Sequence, residues 1–427
     1  MIPQKKRRWI IYLISCLLFT FSQFYRSSIA VISPNLVEEL NLDTQDLGLI
    51  SAAFFYAFAA MQIPVGLYLD HLGPRVLMTV LSLAAVAGAA IFAYGESAAA
   101  LIVGRSLLGV GMACNLMGPL KLITTWFSPL YFATLSAIFV SVGTAGNIAA
   151  ATPLVWLTEW FGWRTTFLLF AISNLVIAVL FYLIARDHPD DPPVSPPATS
   201  ARVSLSTALG DMLQLFSRRD YWLISMGTFF RYGIYASVQA LWAGPFLMVT
   251  MDLSQLMTGN LLLAMSIGLI IGSPICGWIS DSILRSRKTV IIAGLAVMAG
   301  ILVTLAVLPD DTGLLILFAL FFGFGLSSGS GQIMYAHIKE RMPPENAGTA
   351  MTGINFFTMT GVAFFLHGLG WAIKVFYPDG SLAPEVFRLA FVIFGGCLVI
   401  TGLLYGLTVD DIRTLKKPIH KPTGNIH

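Results

Sequence analysis

Charge is what this chain has least of. Only 11% of its 427 residues are charged, against about 25% in a soluble globular domain, while 56% are hydrophobic and the mean hydropathy is +0.79. Such a composition cannot cover a surface in water, so lipid must be the solvent. Segments of about ten residues with alternating polarity, the mark of a membrane barrel, are missing. The four cysteines, Cys16, Cys114, Cys276 and Cys397, fall in apolar segments with no paired or metal-ligand spacing, so they read as buried thiols. No nucleotide loop, metal cluster or nucleophile constellation appears, which argues against an enzyme, a cofactor and a bound metal. Acidic residues inside the apolar segments are also missing. All 22 lie in loops or at segment ends, with Asp70, Glu159, Asp252 and Asp281 nearest the apolar interior. A buried carboxylate is the usual proton relay in a membrane helix, so that mechanism is disfavoured; histidine or the cargo itself are the alternatives.

What is present is a succession of apolar runs, each about 20 residues and long enough to cross the hydrocarbon core as a helix. They fall at 10–33, 47–69, 76–95, 98–122, 132–156, 164–186, 221–249, 253–279, 289–308, 312–335, 348–373 and 386–408. The expected fold is an all-α membrane protein with twelve transmembrane helices (spans 1 to 12) in two pseudo-symmetric six-helix bundles. Residues 1–186 form the N-terminal bundle and 221–408 the C-terminal one, with a cytoplasmic tail at 409–427. The proline- and charge-rich stretch 187–220 is a cytoplasmic linker, and its second part, SLSTALGDMLQLFSRRD, has the spacing of a short amphipathic surface helix.

Basic residues concentrate on the cytoplasmic side of membrane proteins. With the N-terminus inside, the outer loops hold only Arg164, Lys374 and Arg388, and the spans only Arg26, Arg105 and Arg231. The rest of the 25 Lys and Arg lie inside, so both termini are expected to be cytoplasmic. KKRR before the first span belongs to this topology rather than to nucleic-acid binding, and the long run behind it is a retained helix rather than a cleaved signal.

The halves echo each other. GLYLDHLGPR (Gly66, Asp70, Gly73, Arg75) follows span 2, and GWISDSILRSRK (Gly277, Asp281, Arg287, Lys288) follows span 8. Arg26 in span 1 and Arg231 in span 7 are separated by nearly the same interval. An arginine at mid-bilayer costs about 2.5–3.5 kcal/mol on insertion scales and therefore faces a cavity or an anion. Parallel six-span repeats with the substrate between them are a known transporter plan, which places the two arginines across one axis.

Gly66, Asp70, Gly73 and Arg75, together with LIVGRSLLGVGMA (Arg105, Gly109, Gly111) and WFGWRTTF before span 6, resemble the motifs of the major facilitator superfamily over essentially the whole chain. The resemblance implies secondary transport by alternating access. It gives Asp70 and Arg75 to an inner gate, Asp70 meeting the start of span 11 near Asn346, and gives Arg105 a structural or coupling role. Within the superfamily, Arg26 and RYGI at Arg231 look most like the organophosphate:phosphate antiporters, where the paired arginines hold a phosphate. Gln62 stands where that family has a lysine, and span 5 has no histidine of the kind it uses.

Guanidinium forks suit carboxylate or phosphate. Two of them repel until an anion draws the halves together, which favours exchange. Helical spacing sets Tyr235, Gln239 and Trp242 on the face of Arg231, and Gln62, Asn147 and Asn355 add candidate polar contacts, with Asn115 a further in-span amide. Each asparagine also fits an interhelical hydrogen bond. His337 suits packing, and His367 has no assigned role. The expectation is a monomeric carrier in a bacterial inner membrane for a small organic anion, a phosphate ester or a carboxylate, with lipid and cargo as its partners. A carrier of zwitterions, amino acids or short peptides, is the alternative. A transport-inactive sensor is disfavoured because no output domain is present.

Overall fold

The computed structural model describes residues 3–128, 131–189, 215–342, 347–377 and 384–409. These are helical throughout apart from short connections, and they form twelve crossings in two six-helix halves. Ten helices are long and apolar enough to cross a membrane. The remaining two crossings are unusual ones. Span 5 is interrupted at Ala150–Ala151, after the helix Phe132–Ala149. Span 7 starts at Arg219–Ser237 and continues through π-helical turns at Val238–Trp242 and Phe246–Thr250. The linker helix expected within 187–220 lies almost wholly outside the described residues.

Local sequence sets where the spans begin. Asp43 caps span 2 by accepting from the amide of Asp46 at 2.8 Å, and Ser254 caps span 8 by accepting from the amide of Met257 at 3.3 Å. Each cap follows the same device: a left-handed residue (Asn41 or Asp252, both φ 50°), a leucine, then the cap. The duplication thus extends into the connectors.

Gly73 and Gly162, at φ 75° and 74°, turn the chain between spans 2 and 3 and between spans 5 and 6 in a region that side chains avoid. An arginine follows two residues after each, and the two arginines pin spans 3 and 6 at opposite ends. The Arg75 amide donates to Asp187 Oδ1 at 2.8 Å and its Nε to the Tyr182 carbonyl at 2.9 Å, both at the end of span 6. Arg164 Nη1 donates to the carbonyls of Ala93 and Gly95 at the end of span 3, at 2.7 and 2.8 Å. Spans 9 and 12 repeat the arrangement. Lys288 Nζ reaches the Thr408 carbonyl at 3.1 Å, and Arg388 Nη2 donates to the Leu308 carbonyl and to Asp310, at 3.2 and 2.6 Å. Spans 3 and 6, and spans 9 and 12, are thus tied to each other at both ends. Besides span 5, spans 1, 4, 7 and 10 are interrupted, at Ser28, at Ala113–Leu116, at the π turns and at Gly329–Gly331. Breaks in a bilayer helix are tolerated where the freed backbone lines a polar interior or finds side-chain partners.

Close helix contacts fall at glycines of spans 5 and 8. Gly143 and Gly146 in span 5 lie on Phe19 and the Thr20 carbonyl of span 1, and Gly268 and Gly272 in span 8 on Phe322 and Leu326 of span 10. The halves meet along spans 2 and 11: Gly48 against Leu366 and Gly370, Tyr56 edge-on to His367 (6.4 Å), and Gln62 on Asn355. At the end away from the termini, Lys374 pairs with Asp43 (2.7 Å), Gln255 Nε2 donates to the Val31 carbonyl (2.6 Å) and Thr152 Oγ1 to Asn260 (2.7 Å).

Candidate functional site

Arg26 is the last basic residue before span 1 breaks at Ser28. It is 8% exposed, and its guanidinium carbon sits 4.4 Å from the centre of the Phe58 ring of span 2. Its Nε has no hydrogen-bond partner. Arg231, 2% exposed, comes from span 7 in the other half. Its Nη1 donates to the Ser328 carbonyl and, at 3.1 Å, to Ser328 Oγ at the break in span 10. Its Nε has no partner either. Tyr232 and Tyr335 act electrostatically on both arginines, and Tyr232 is within hydrogen-bonding reach of Arg26. The Arg231 guanidinium carbon lies 5.5 Å from the centre of the Tyr232 ring, so Tyr232 adjoins both arginines. Among the described residues neither arginine is paired with a carboxylate.

Arg105 contrasts with both. It is fully buried inside the first half, where Nη1 donates to the Tyr25 carbonyl and Nε to the Ile50 carbonyl at 3.4 Å, over the ring of Phe54. It holds open the break in span 1 beside which Arg26 emerges. Ser27 adds to that brace by donating to Asn147 Oδ1 at 2.9 Å.

Gln62 is 2% exposed. Its Nε2 donates to the carbonyls of Phe58 and Ala113, and its Oε1 accepts from Asn355 Nδ2 at 3.1 Å. Asn355 Oδ1 in turn accepts from the Tyr335 hydroxyl at 3.3 Å. Gln62 and Asn355 thus adjoin the arginines, joined to them through Phe58 and Tyr335. Along span 7, Tyr235 stays within electrostatic reach of Arg231 on the regular helix Arg219–Ser237, and the π turn at Val238–Trp242 changes the spacing only after Ser237. Tyr235 stacks on Phe324 of span 10, Gln239 donates to Ser266 of span 8 at 3.0 Å, and Trp242 is fully buried. Asn115 braces span 1 by donating to the Leu18 carbonyl at 3.2 Å.

The loop motifs lie apart from this centre. Gly66 is exposed, Gly73 and Arg75 serve the joint between spans 3 and 6, and Asp281 sits in an ion triad with Arg287 and Glu340. The side chain of Asp70 and residue Asn346 lie outside the described residues. His337, 1% exposed, holds the Tyr405 hydroxyl at 2.7 Å and the Val409 carbonyl at 3.0 Å. Sequence reasoning missed Tyr232, Tyr335 and Gly331. Any Cβ on Gly331 would overlap the Arg231 guanidinium, so that glycine is the seat of the charge.

Two bundles of six membrane helices meeting at a pair of buried arginines define a polytopic membrane carrier. The chain belongs to the Major Facilitator Superfamily, whose family model matches residues 13–373. It is 26% identical to the hexuronate transporter of Bacillus subtilis (strain 168), over 93% of this chain and 92% of that one. It is 23% identical to the probable galactarate/D-glucarate transporter GudP of the same organism, over 98% and 96%. Its fold matches the crystal structure of a mutant of the nucleoside transporter NupG with a TM-score of 0.76 at 14% identity, over 93% of this chain and 99% of that one. The protein is a multi-pass membrane transporter of this superfamily and not an enzyme.

Proposed function

We propose that the chain carries a small organic anion bearing at least one carboxylate, held between Arg26 and Arg231, by alternating exposure of a site between residues 1–186 and 221–408. The observation that carries this is the convergence of two buried guanidiniums from opposite halves on Tyr232 and Tyr335, each with its Nε unspent. Burying two like charges without a counter-ion is unfavourable, and an anion relieves it. The names of the relatives, transporters for hexuronate and galactarate/D-glucarate, favour a carboxylated sugar over a phosphate ester. Gln62 agrees with that choice, since one carboxylate group carries less charge than one phosphate group and needs fewer cations around it. Surrounding amides and phenols suit the hydroxyls of such a cargo. The absence of acidic residues from the apolar segments favours exchange or facilitated flux over a carboxylate proton relay. The distribution of Lys and Arg supports cytoplasmic termini in a bacterial inner membrane.

A test begins with thermal-shift screening of the purified protein against uronates, aldarates, organophosphates and amino acids, followed by counterflow in liposomes. Sugar acids should stabilise the wild type and neither Arg26→Ala nor Arg231→Ala. Wild-type counterflow in either variant would overturn the clamp. Stabilisation by amino acids alone would reassign the cargo to zwitterions.

A further inference from the structure

We infer that the Gln62–Asn355 hydrogen bond is a neutral latch that lets the two halves close on each other without an anion between the arginines. The inference rests on the clamp proposed above and changes what it implies. Two facing guanidiniums resist closure of an unloaded carrier, and a carrier built on them alone would only exchange. Closure without cargo needs an attraction across the seam that the protein makes with its own uncharged groups.

Gln62–Asn355 has that character and lies at the required place. Gln62 belongs to span 2, one turn beyond Phe58, whose ring carries the Arg26 guanidinium. Asn355 belongs to span 11 and is tied to Tyr335, which neighbours both arginines. Besides the reach of Tyr232 to Arg26, the other hydrogen bonds and ion pair described across the seam (Lys374–Asp43, Gln255 with Val31 and Asn35, Thr152–Asn260) stand at the end away from the termini.

The polarity of the bond is fixed from the Gln62 side. Both Nε2 protons of Gln62 go to carbonyls of its own half, Phe58 at 3.3 Å and Ala113 at 3.4 Å. Its Oε1 must therefore face the other half. Asn355 then turns its Nδ2 to Gln62 and leaves its Oδ1 to the Tyr335 hydroxyl. Neither amide can flip without setting like atom against like. Because Tyr335 serves both the latch and the arginines, an anion that recruits its proton loosens the latch as it loads the clamp. The empty and loaded carriers thus close by different bonds, and net flux becomes available beside exchange.

The test uses the full chain with no organic anion present, so that it is independent of the cargo. Spin labels are placed at Tyr68→Cys and Trp278→Cys, exposed positions at the terminal ends of spans 2 and 8 (54% and 60% exposed), with the four native cysteines replaced by alanine. Double electron–electron resonance in nanodiscs then reads the ratio of the short to the long distance. Gln62→Leu and Asn355→Leu should each lower that ratio about fivefold, the worth of one hydrogen bond. The double variant should lower it no further, because either single change already removes the bond. An unchanged ratio in both single variants, or a double variant whose loss is the product of the two, overturns the latch. Neither result touches the counterflow of the arginine variants, so the clamp and the latch fail separately.

Discussion

Arg105 of span 4 and Arg231 of span 7 lie in opposite halves and do different work. Each leaves its own helix to cap a carbonyl at a break in a neighbouring span, Tyr25 for Arg105 and Ser328 for Arg231. Arg105 spends a second nitrogen on the Ile50 carbonyl and stays enclosed within one half, where its Nη2 has no partner. Arg231 uses one nitrogen on Ser328, keeps its Nε free, and shares phenol neighbours with Arg26 from across the seam. A buried arginine surrounded by carbonyls of its own bundle is a brace. One whose donors remain at the seam between the halves suits the anion receptor proposed above.

The sharpest break in that comparison is between the two kinds of loss. Arg26→Ala and Arg231→Ala should lower kcat/KM in counterflow about 100-fold, since losing one partner of a desolvated charge pair costs about 2–5 kcal/mol. Both variants should keep a near-wild-type melting temperature in detergent. Arg105→Ala should show the reverse signature. It strands two buried carbonyls at about 1–3 kcal/mol each, so the melting temperature and yield should fall first. If Arg105→Ala melts normally but does not transport, the division into brace and receptor is wrong.

Next in size is the seat of Arg231. Gly331→Ala puts a methyl group into the guanidinium, and the head group must leave Ser328 and the seam. KM should rise about tenfold, on the order of one charge-assisted hydrogen bond. Gly300→Ala, where an added Cβ meets nothing, serves as the control and should transport as wild type. Equal kinetics for the two alanine variants would show that Arg231 need not sit where it does. Tyr335→Phe belongs to the same series at smaller amplitude. It removes one hydroxyl between clamp and latch, and KM should shift about threefold to fivefold.

Much of this architecture is legible in the sequence, and the gaps have identifiable causes. The span pattern, the duplication and the two exceptional arginines follow from hydropathy and from repeats such as Gly66 to Arg75 against Gly277 to Lys288. The connector repeat, Asn41-Leu42-Asp43 against Asp252-Leu253-Ser254, is equally readable as a left-handed residue, a leucine and a cap. What cannot be read is the fate of the face after Arg231. A 3.6-residue period carries Gln239 and Trp242 toward the arginine, whereas the π turn carries Gln239 to Ser266. Tyr232 is hidden by the same periodicity, since adjacent residues on a regular helix point about 100° apart. Its signal is chemical instead: a phenol next to an unpaired intramembrane charge. Gly331 has a signal too. The run Ser327-Ser328-Gly329-Ser330-Gly331 is a polar, small-residue interruption in an apolar span, and such interruptions mark broken helices.

The smallest effect expected is at the far end of the seam. Lys374 and Asp43 pair at 2.7 Å with side chains 49% and 32% exposed, and solvent screens an ion pair this open. Lys374→Ala should therefore change the transport rate no more than about fivefold, and less at high salt. Its pH behaviour distinguishes gate from cargo. Burial pushes the Asp43 carboxyl up, but the hydrogen bonds from Lys374 and from the amide of Asp46 outweigh it and hold the group below its ordinary value. A carboxyl with a depressed value contributes fully above the unpaired value of about 3.9 and loses its contribution only as pH falls through the lower, paired one. Its partner is an ammonium, a group that gives up its proton only near pH 10.4 or about there. Between pH 5 and 8 the pair is therefore constant, so wild type and Lys374→Ala should show parallel pH–rate profiles there. Any slope they share belongs to the cargo or the histidines. Profiles that diverge within that window would mean that the gate titrates, and that the far end of the seam is more than a weak surface clasp.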